Sequence, residues 1–315
     1  VEQLKPFGVP VANPEDVVCL VEEMLASQLQ CILDRGASTN LPGESLGALT
    51  LLRSLDRGDA RDVMDWVYDE GPDTVRVFAT NDFFPDGTPQ EATGGYNSIH
   101  SNGLFDLEYQ LRALRELQPE AYPEATYPSL MSDPRTSRVP RVLHEITMAG
   151  KSFFQFGDGS SPGTAATHGS VTERKDESIR LGPDCFHGPM SPDLLEHAEA
   201  YTGDPMVAEI RAAVTQGRHR RIGSTVHDGV GLAILRTPEA PERAAVGIVY
   251  GDSLHHRHRD LLDVQLYAFE RPFLTDLGYP QSWASIGPWE AHWATHNTVW
   301  GTLDPDAPRD AGRGR

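Results

Sequence analysis

The chain has 315 residues, enough for two domains or one large one and for a sizeable core. Hydrophobic residues make up 39% and charged residues 23%, and no apolar run approaches the roughly 18–20 residues that a membrane span requires. The formal net charge of -19, from 46 acidic against 27 basic residues, argues against nucleic acid as a partner, because phosphate contacts call for a basic surface. The cysteines, Cys19, Cys31 and Cys185, are odd in number and lack a CxxC spacing, so disulfides are not expected to define the fold.

In chain order, the first two thirds read as helices. Asn13 and Pro14 form an N-cap and first-turn pair, and Val17, Val18, Val21, Met24, Leu25, Leu29, Ile32 and Leu33 recur at helical spacing until Gly36. Further helices are expected over residues 46–55, 60–68 and about 104–117, the last with Leu107, Leu111 and Leu114 as its apolar stripe. Similar patterns recur near 139–148, 192–201 and 205–214. The stretch 151–190, rich in Gly, Ser, Pro and charge, reads as long loops. From about Arg221 the period changes, and 226–235, 244–250, 261–269 and 272–277 read as short strands. The expected class is therefore α+β and multidomain: a helical domain over 1–218, then an antiparallel β domain over 219–315. About five strands are few for a complete sandwich, so both domains are expected to be incomplete.

The densest group of ligand-type residues is His255-His256-Arg257-His258-Arg259-Asp260. In a strand, residues two apart share a face, which sets His256, His258 and Asp260 together with Leu262, Val264 and Leu266 as the core continuation. A histidine at the margin of an apolar face needs a partner, and a divalent metal is one; the alternative is a solvated turn. Downstream come Asp276-Leu277-Gly278-Tyr279-Pro280 and His296-Asn297-Thr298-Val299. A plain hairpin turning at 270–271 would set Asp276 opposite Gln265, away from His258. Co-ligation therefore requires the chain to bend between His258 and the strand, and Asp260 is the rival carboxylate.

Together, residues 251–299 resemble the β-domain signature of the heparinase II/III-like polysaccharide lyases, in which HxHxD is followed by D-x-G-Y and then HNT. The resemblance implies a divalent metal, with zinc expected, held by His258, Asp276 and His296. It also implies that the metal holds the site together, leaving His256 to face the substrate. A second match is Asp82-Phe83-Phe84-Pro85-Asp86-Gly87-Thr88 with Glu91 and Tyr96, where the family shows D-G-S, an acid or amide, and a tyrosine in a loop. Thr88 stands where Ser is usual. Tyr96 is thereby implied as catalytic acid and candidate base, with Glu91 and His100 on the substrate side. A third match is Asn40 in Ser38-Thr39-Asn40-Leu41. Leu41 departs from the Asn-His form of that motif, so the base stays open among Tyr96, His256 and His100.

The fold implied is an (α/α) toroid followed by a β-sandwich. The activity implied is β-elimination on a uronic-acid-containing acidic polysaccharide or oligosaccharide, of alginate or glycosaminoglycan type, in the periplasm or outside the cell. No nucleic-acid or membrane partner is expected. The residue types suit that chemistry. An amide can neutralise the uronate carboxylate as charge develops, and a protonated tyrosine can supply the leaving oxygen with a proton. A glycoside hydrolase would instead need paired carboxylates flanking the bond, and no such pair stands out. Two other readings remain: a non-catalytic or truncated carbohydrate-binding relative, and a metal-dependent glycan hydrolase. His144, His168, His187, His197, His219, His227 and His292 have no comparable context and are assigned no role.

Overall fold

The computed structural model describes residues 13–36, 39, 41–55, 58–90, 94–148, 152–154, 156–157, 172–173, 179–180, 192–216, 221–238, 243–251, 258, 260–269, 271–276 and 292–299. The chain divides into two compact units, Val1–Thr80 with Gly103–Leu130, and Asn81–Asn102 with Met131–Arg315. Among the described residues no helix is long and apolar enough to cross a membrane.

In the first unit, α1 (Pro14–Leu33) starts at Asn13, whose side chain accepts from the Glu15 N–H at 3.2 Å. It packs on α2 (Gly43–Ser54), whose Ala48, Leu49 and Leu52 are buried. Helix α3 (Ala60–Asp65) passes into a π-helical turn, Trp66–Glu70, where the sequence pattern suggests one uninterrupted helix. Helix α4 (Val75–Asn81) is not anticipated by the pattern. It is only two turns long, rich in β-branched residues, and depends on burying Val75, Phe78 and Ala79. Helix α5 (Gly94–Leu117) begins about ten residues before the expected start, because Gly94 and Gly95, which read as breakers, form its first turn. Its fully buried Glu108 accepts from Ser129 Oγ at 2.8 Å and from the Leu130 N–H at 2.7 Å, which ties the segment after the helix back onto it.

In the second unit, α6 (Val139–Glu145) is followed by a short antiparallel pair, β1 (Thr147–Met148) and β2 (Ser152–Phe153). A second small pair, β3 (Thr172–Glu173) and β4 (Ile179–Arg180), falls in the stretch expected to be loop, most of which lies outside the described residues. Helices α7 (Pro192–Thr202) and α8 (Pro205–Thr215) pack on each other, and Asp204 caps α8 by accepting from the Met206 N–H at 2.8 Å.

The strands β5 (Thr225–His227), β6 (Leu232–Arg236), β7 (Ala244–Val249), β8 (Val264–Ala268) and β9 (Arg271–Leu274) form one antiparallel meander in that order. The single strand expected over 226–235 is in fact a hairpin. Its turn contains Gly231 at φ 68°, where a Cβ would lie 2.1 Å from Gly251 Cα. One face of the sheet, with Leu232, Ile234, Ala245, Val249 and Tyr267, packs on Val142 of α6, on Ile146 just after it, on Met148, and on Phe154 and Phe156. Gly247 lets the Phe154 ring lie on the strand, since a Cβ there would approach it to 2.2 Å. Val226, Leu235 and Val246 are exposed.

Arg236 joins α6 to the sheet. It is buried, and its guanidinium donates to the carbonyls of Glu145 at 2.5 Å, Thr147 at 2.7 Å and Gly223 at 2.6 Å. Burial draws its pKa down to about 10, so it stays charged at neutral pH and stabilises the carbonyl end of α6. Arg236→Ala would leave these buried acceptors unmet, and we expect a loss of roughly 3 kcal/mol, measured by urea unfolding.

Candidate functional site

His258 stands before a tight turn. The Asp263 N–H donates to the Asp260 carbonyl at 2.8 Å, the Leu262 N–H donates to Val249 O at 2.7 Å, and Leu262 has φ 63°. This is the bend that co-ligation of His258 and Asp276 demands. It also overturns one expectation. A residue in the left-handed region breaks the alternation of a strand, so the face begun by His258 and Asp260 does not continue through Leu262, Val264 and Leu266. Leu262 is 44% exposed, and the buried residues of β8 are Gln265 and Tyr267.

The register of the next hairpin also differs from the simple one. Ala268 pairs with Arg271 and Tyr267 with Pro272, but Leu266 pairs with Leu274, which leaves Phe273 as the extra residue of a bulge. Continued regularly, β9 would bring Asp276 opposite Val264. That place is taken by Asn297, whose carbonyl accepts from the Val264 N–H at 3.1 Å. The Asn297 side chain donates to Thr275 O at 3.1 Å, and Thr298 Oγ1 donates to Leu261 O. Residues 292–299 thus dock where β8 begins and β9 ends.

This docking gathers His258, Asp276 and His296, each offering one ligand atom, with those atoms all within 4.8 Å of one another. The residues are 6%, 1% and 8% exposed. Donors about 2.0–2.1 Å from a zinc ion sit roughly 3.3 Å apart in a tetrahedron, so small adjustments would close the set on one ion. His296 Nδ1 lies 2.5 Å from Asp276 Oδ2, while His296 Nε2 is buried with no hydrogen-bond partner among the described residues. An imidazole that donates a hydrogen bond from Nδ1–H to a carboxylate presents a lone pair at Nε2, the arrangement in which histidines bind metals. The residues present therefore fit a divalent ion.

Acidic side chains crowd the same place. Asp260 and Asp263 are fully buried. Asp260 Oδ2 accepts from the Gly157 N–H at 2.7 Å; Asp263 accepts from the Asn297 N–H at 2.7 Å and from Gln265 Nε2 at 3.0 Å. Burial, then the charge of Asp276, push the Asp263 carboxyl up to about 6 despite those donors. Burial draws the His296 imidazole down, but the hydrogen bond and charge of Asp276 outweigh it, leaving His296 above its ordinary value. Buried anionic charge of this kind favours any cation placed among it.

No known family profile matches the sequence, and no curated protein matches it significantly. Solved structures do. A heparinase III gene product aligns with a TM-score of 0.57 at 11% identity, over 89% of this chain and 40% of its own. The heparan sulfate lyase HepC from Pedobacter heparinus aligns with a TM-score of 0.55 at 12% identity, over 84% of this chain and 38% of its own. A mutant of that lyase gives 0.52 at 12% identity, over 81% and 36%. The chain shares the fold of the corresponding part of these structures. The chain spans about two fifths of the length of these structures.

Within this heparinase III-type fold, the loop carrying the second sequence match is a tight, self-bonded structure. Asp86 Oδ1 accepts from Thr88 N at 3.0 Å and Thr88 Oγ1 at 2.6 Å, while Oδ2 accepts from the Gly229 N–H at 2.8 Å. Thr88 thus uses the hydroxyl it shares with serine. Gly229 must be glycine, since a Cβ would lie 2.4 Å from Phe84 Cβ and 2.5 Å from Thr88 Oγ1. Tyr96 lies in the first turn of α5, not in a loop, four residues before the buried His100. Asn40, Glu91 and His256 lie outside the described residues. The sequence reading missed Asp263, the backbone role of Asn297, and His292, which accepts from the Ala294 N–H and caps the short turn before His296. The one signal for Asp263 is its spacing three after Asp260, which suits a turn.

Burial holds His100 at a pKa of about 4, below the ordinary 6.5. Its folded value is depressed, so between about pH 6.5 and 4 the unfolded chain binds the extra proton. The contribution of His100 is full above pH 6.5 and is lost as the pH falls, on the order of 3 kcal/mol in total. Urea unfolding at pH 7 and pH 4.5 should show a shallower pH dependence in His100→Gln than in the parent.

Proposed function

We propose that this chain is part of a polysaccharide lyase that cleaves a uronic-acid-containing acidic polysaccharide by β-elimination. The observation that carries the reading is the convergence of His258, Asp276 and His296 in a chain whose fold is that of heparinase III. The loop at 82–90, with Asp86 and Thr88 in their motif places, supports it. A sandwich over 219–315 is supported by the exposed apolar residues Val226, Leu235 and Val246, which suit a second layer. The helical part is read as an (α/α) toroid.

In this reading Asn40 donates its amide to the uronate carboxylate, which makes the adjacent proton more acidic by stabilising the developing anion. Tyr96 protonates the 4-linked leaving oxygen, and Tyr96, His256 or His100 removes the ring proton. Burial keeps His100 neutral at pH 7 but, by drawing its pKa down to about 4, makes it a weaker base than an ordinary imidazole. His258, Asp276 and His296 hold a divalent ion, with zinc expected, which supplies fixed positive charge among the buried carboxylates.

Incubation with alginate, heparan sulfate, chondroitin and hyaluronan should generate the ultraviolet absorbance of an unsaturated uronate with at least one of them. Products whose masses show added water would replace elimination by hydrolysis. Tyr96→Phe should lower kcat/KM by at least about 100-fold, and full activity in that variant would remove Tyr96 from the mechanism.

Zinc should raise the melting temperature of the chelator-stripped protein. His296→Ala should abolish that rise while leaving the fold intact by circular dichroism. An equal rise in both proteins would rule His296 out as a ligand.

A further inference from the structure

We infer that Asp263 is a positioning residue for the metal centre, seating His296 through the backbone of Asn297; the inference rests on the zinc reading proposed above. His296 follows a single 3₁₀ turn, Trp293–Thr295. So short a turn has few bonds of its own, and the placement of His296 depends on what holds the residue after it.

Asn297 is held at three points. Its N–H donates to Asp263 Oδ1 at 2.7 Å, its carbonyl accepts from the Val264 N–H at 3.1 Å, and its side chain donates to Thr275 O at 3.1 Å. The partners at the second and third points are backbone groups. The partner at the first is a side chain, and a carboxylate accepting from N–H makes a stronger bond than a neutral acceptor does.

Asp263 is itself fixed from several sides. Its other oxygen accepts from Gln265 Nε2 at 3.0 Å, its N–H is bonded to Asp260 O at 2.8 Å, and its carbonyl accepts from the Val249 N–H at 3.2 Å. It is fully buried, so no water competes for the carboxylate. Asp263 therefore transmits the position of the turn after His258 to the segment that carries His296. It would bring two of the ligands into register, its own oxygens being occupied by the Asn297 N–H and Gln265 Nε2.

The test is a zinc titration of the full chain, stripped of metal, in competition with a chromophoric chelator, beside the visible absorption spectrum of the cobalt-loaded protein. Asp263→Ala should bind zinc about 10–100-fold more weakly, with a weaker and shifted cobalt band, at a temperature where its circular dichroism matches the parent. Asp263→Asn keeps an oxygen for the Asn297 N–H once the Gln265 amide turns over, and should stay within about threefold of the parent. Parent-like zinc affinity and cobalt spectrum in folded Asp263→Ala would overturn the assignment and leave the metal reading standing. An Asn variant as weak as the Ala variant would overturn it too. Absence of zinc binding by the parent would overturn both. If Asp263→Ala does not fold, Asp263→Ser, whose hydroxyl is too short to reach Asn297, decides between the same outcomes.

Discussion

Burying carboxylate charge at one end of the sheet is the constraint from which the site follows. Asp260, Asp263 and Asp276 are withdrawn from water, and each such group costs several kcal/mol unless donors or cations meet it. The donors come from far along the chain: the Gly157 N–H to Asp260, the Asn297 N–H to Asp263, and the His296 imidazole to Asp276. Satisfying the charge is therefore the same event as docking residues 292–299 where β8 begins. In the reading proposed above, a cation would meet the charge that these donors leave.

The second unit supplies the rigidity that such a centre needs. The covered face of the five-stranded sheet is filled by Leu232, Ile234, Ala245, Val249 and Tyr267, and Arg236 clamps the end of α6 onto it. The loop at 82–90 is fastened to the β5–β6 turn by Asp86 and Gly229. His258 and the strand leading to Asp276 thus depart from a packed and hydrogen-bonded scaffold, which is how a set of candidate ligands keeps its spacing.

Much of this was legible in the residues, for identifiable reasons. Helices with strong apolar periodicity and clear caps, such as the one begun by Asn13 and Pro14, follow the pattern closely. Helix α4 does not, because its stability lies in tertiary burial of Val75, Phe78 and Ala79 and not in propensity. His258, Asp276 and His296 were singled out through a motif, while simple strand counting argued against bringing His258 and Asp276 together. Counting failed because it assumes unbroken alternation, and the left-handed Leu262 and the bulge at Phe273 both break it. Asp263 was invisible for a different reason: its partner is a backbone N–H, and backbone groups leave no trace in residue identity.

The bulge has a consequence for how this chain can vary through time. Side chains on a strand alternate between faces, so one residue more or fewer between Arg271 and Asp276 would turn the buried acid to the other face. Loop-closure cost hardly distinguishes a hairpin connection of two residues from one of three or four. A residue added at the connection between β8 and β9 can therefore be taken up by a longer loop with both strands unmoved. Relatives that keep the centre should vary in length at the connection and hold the length from Arg271 to Asp276, unless the bulge is lost or gained with the change.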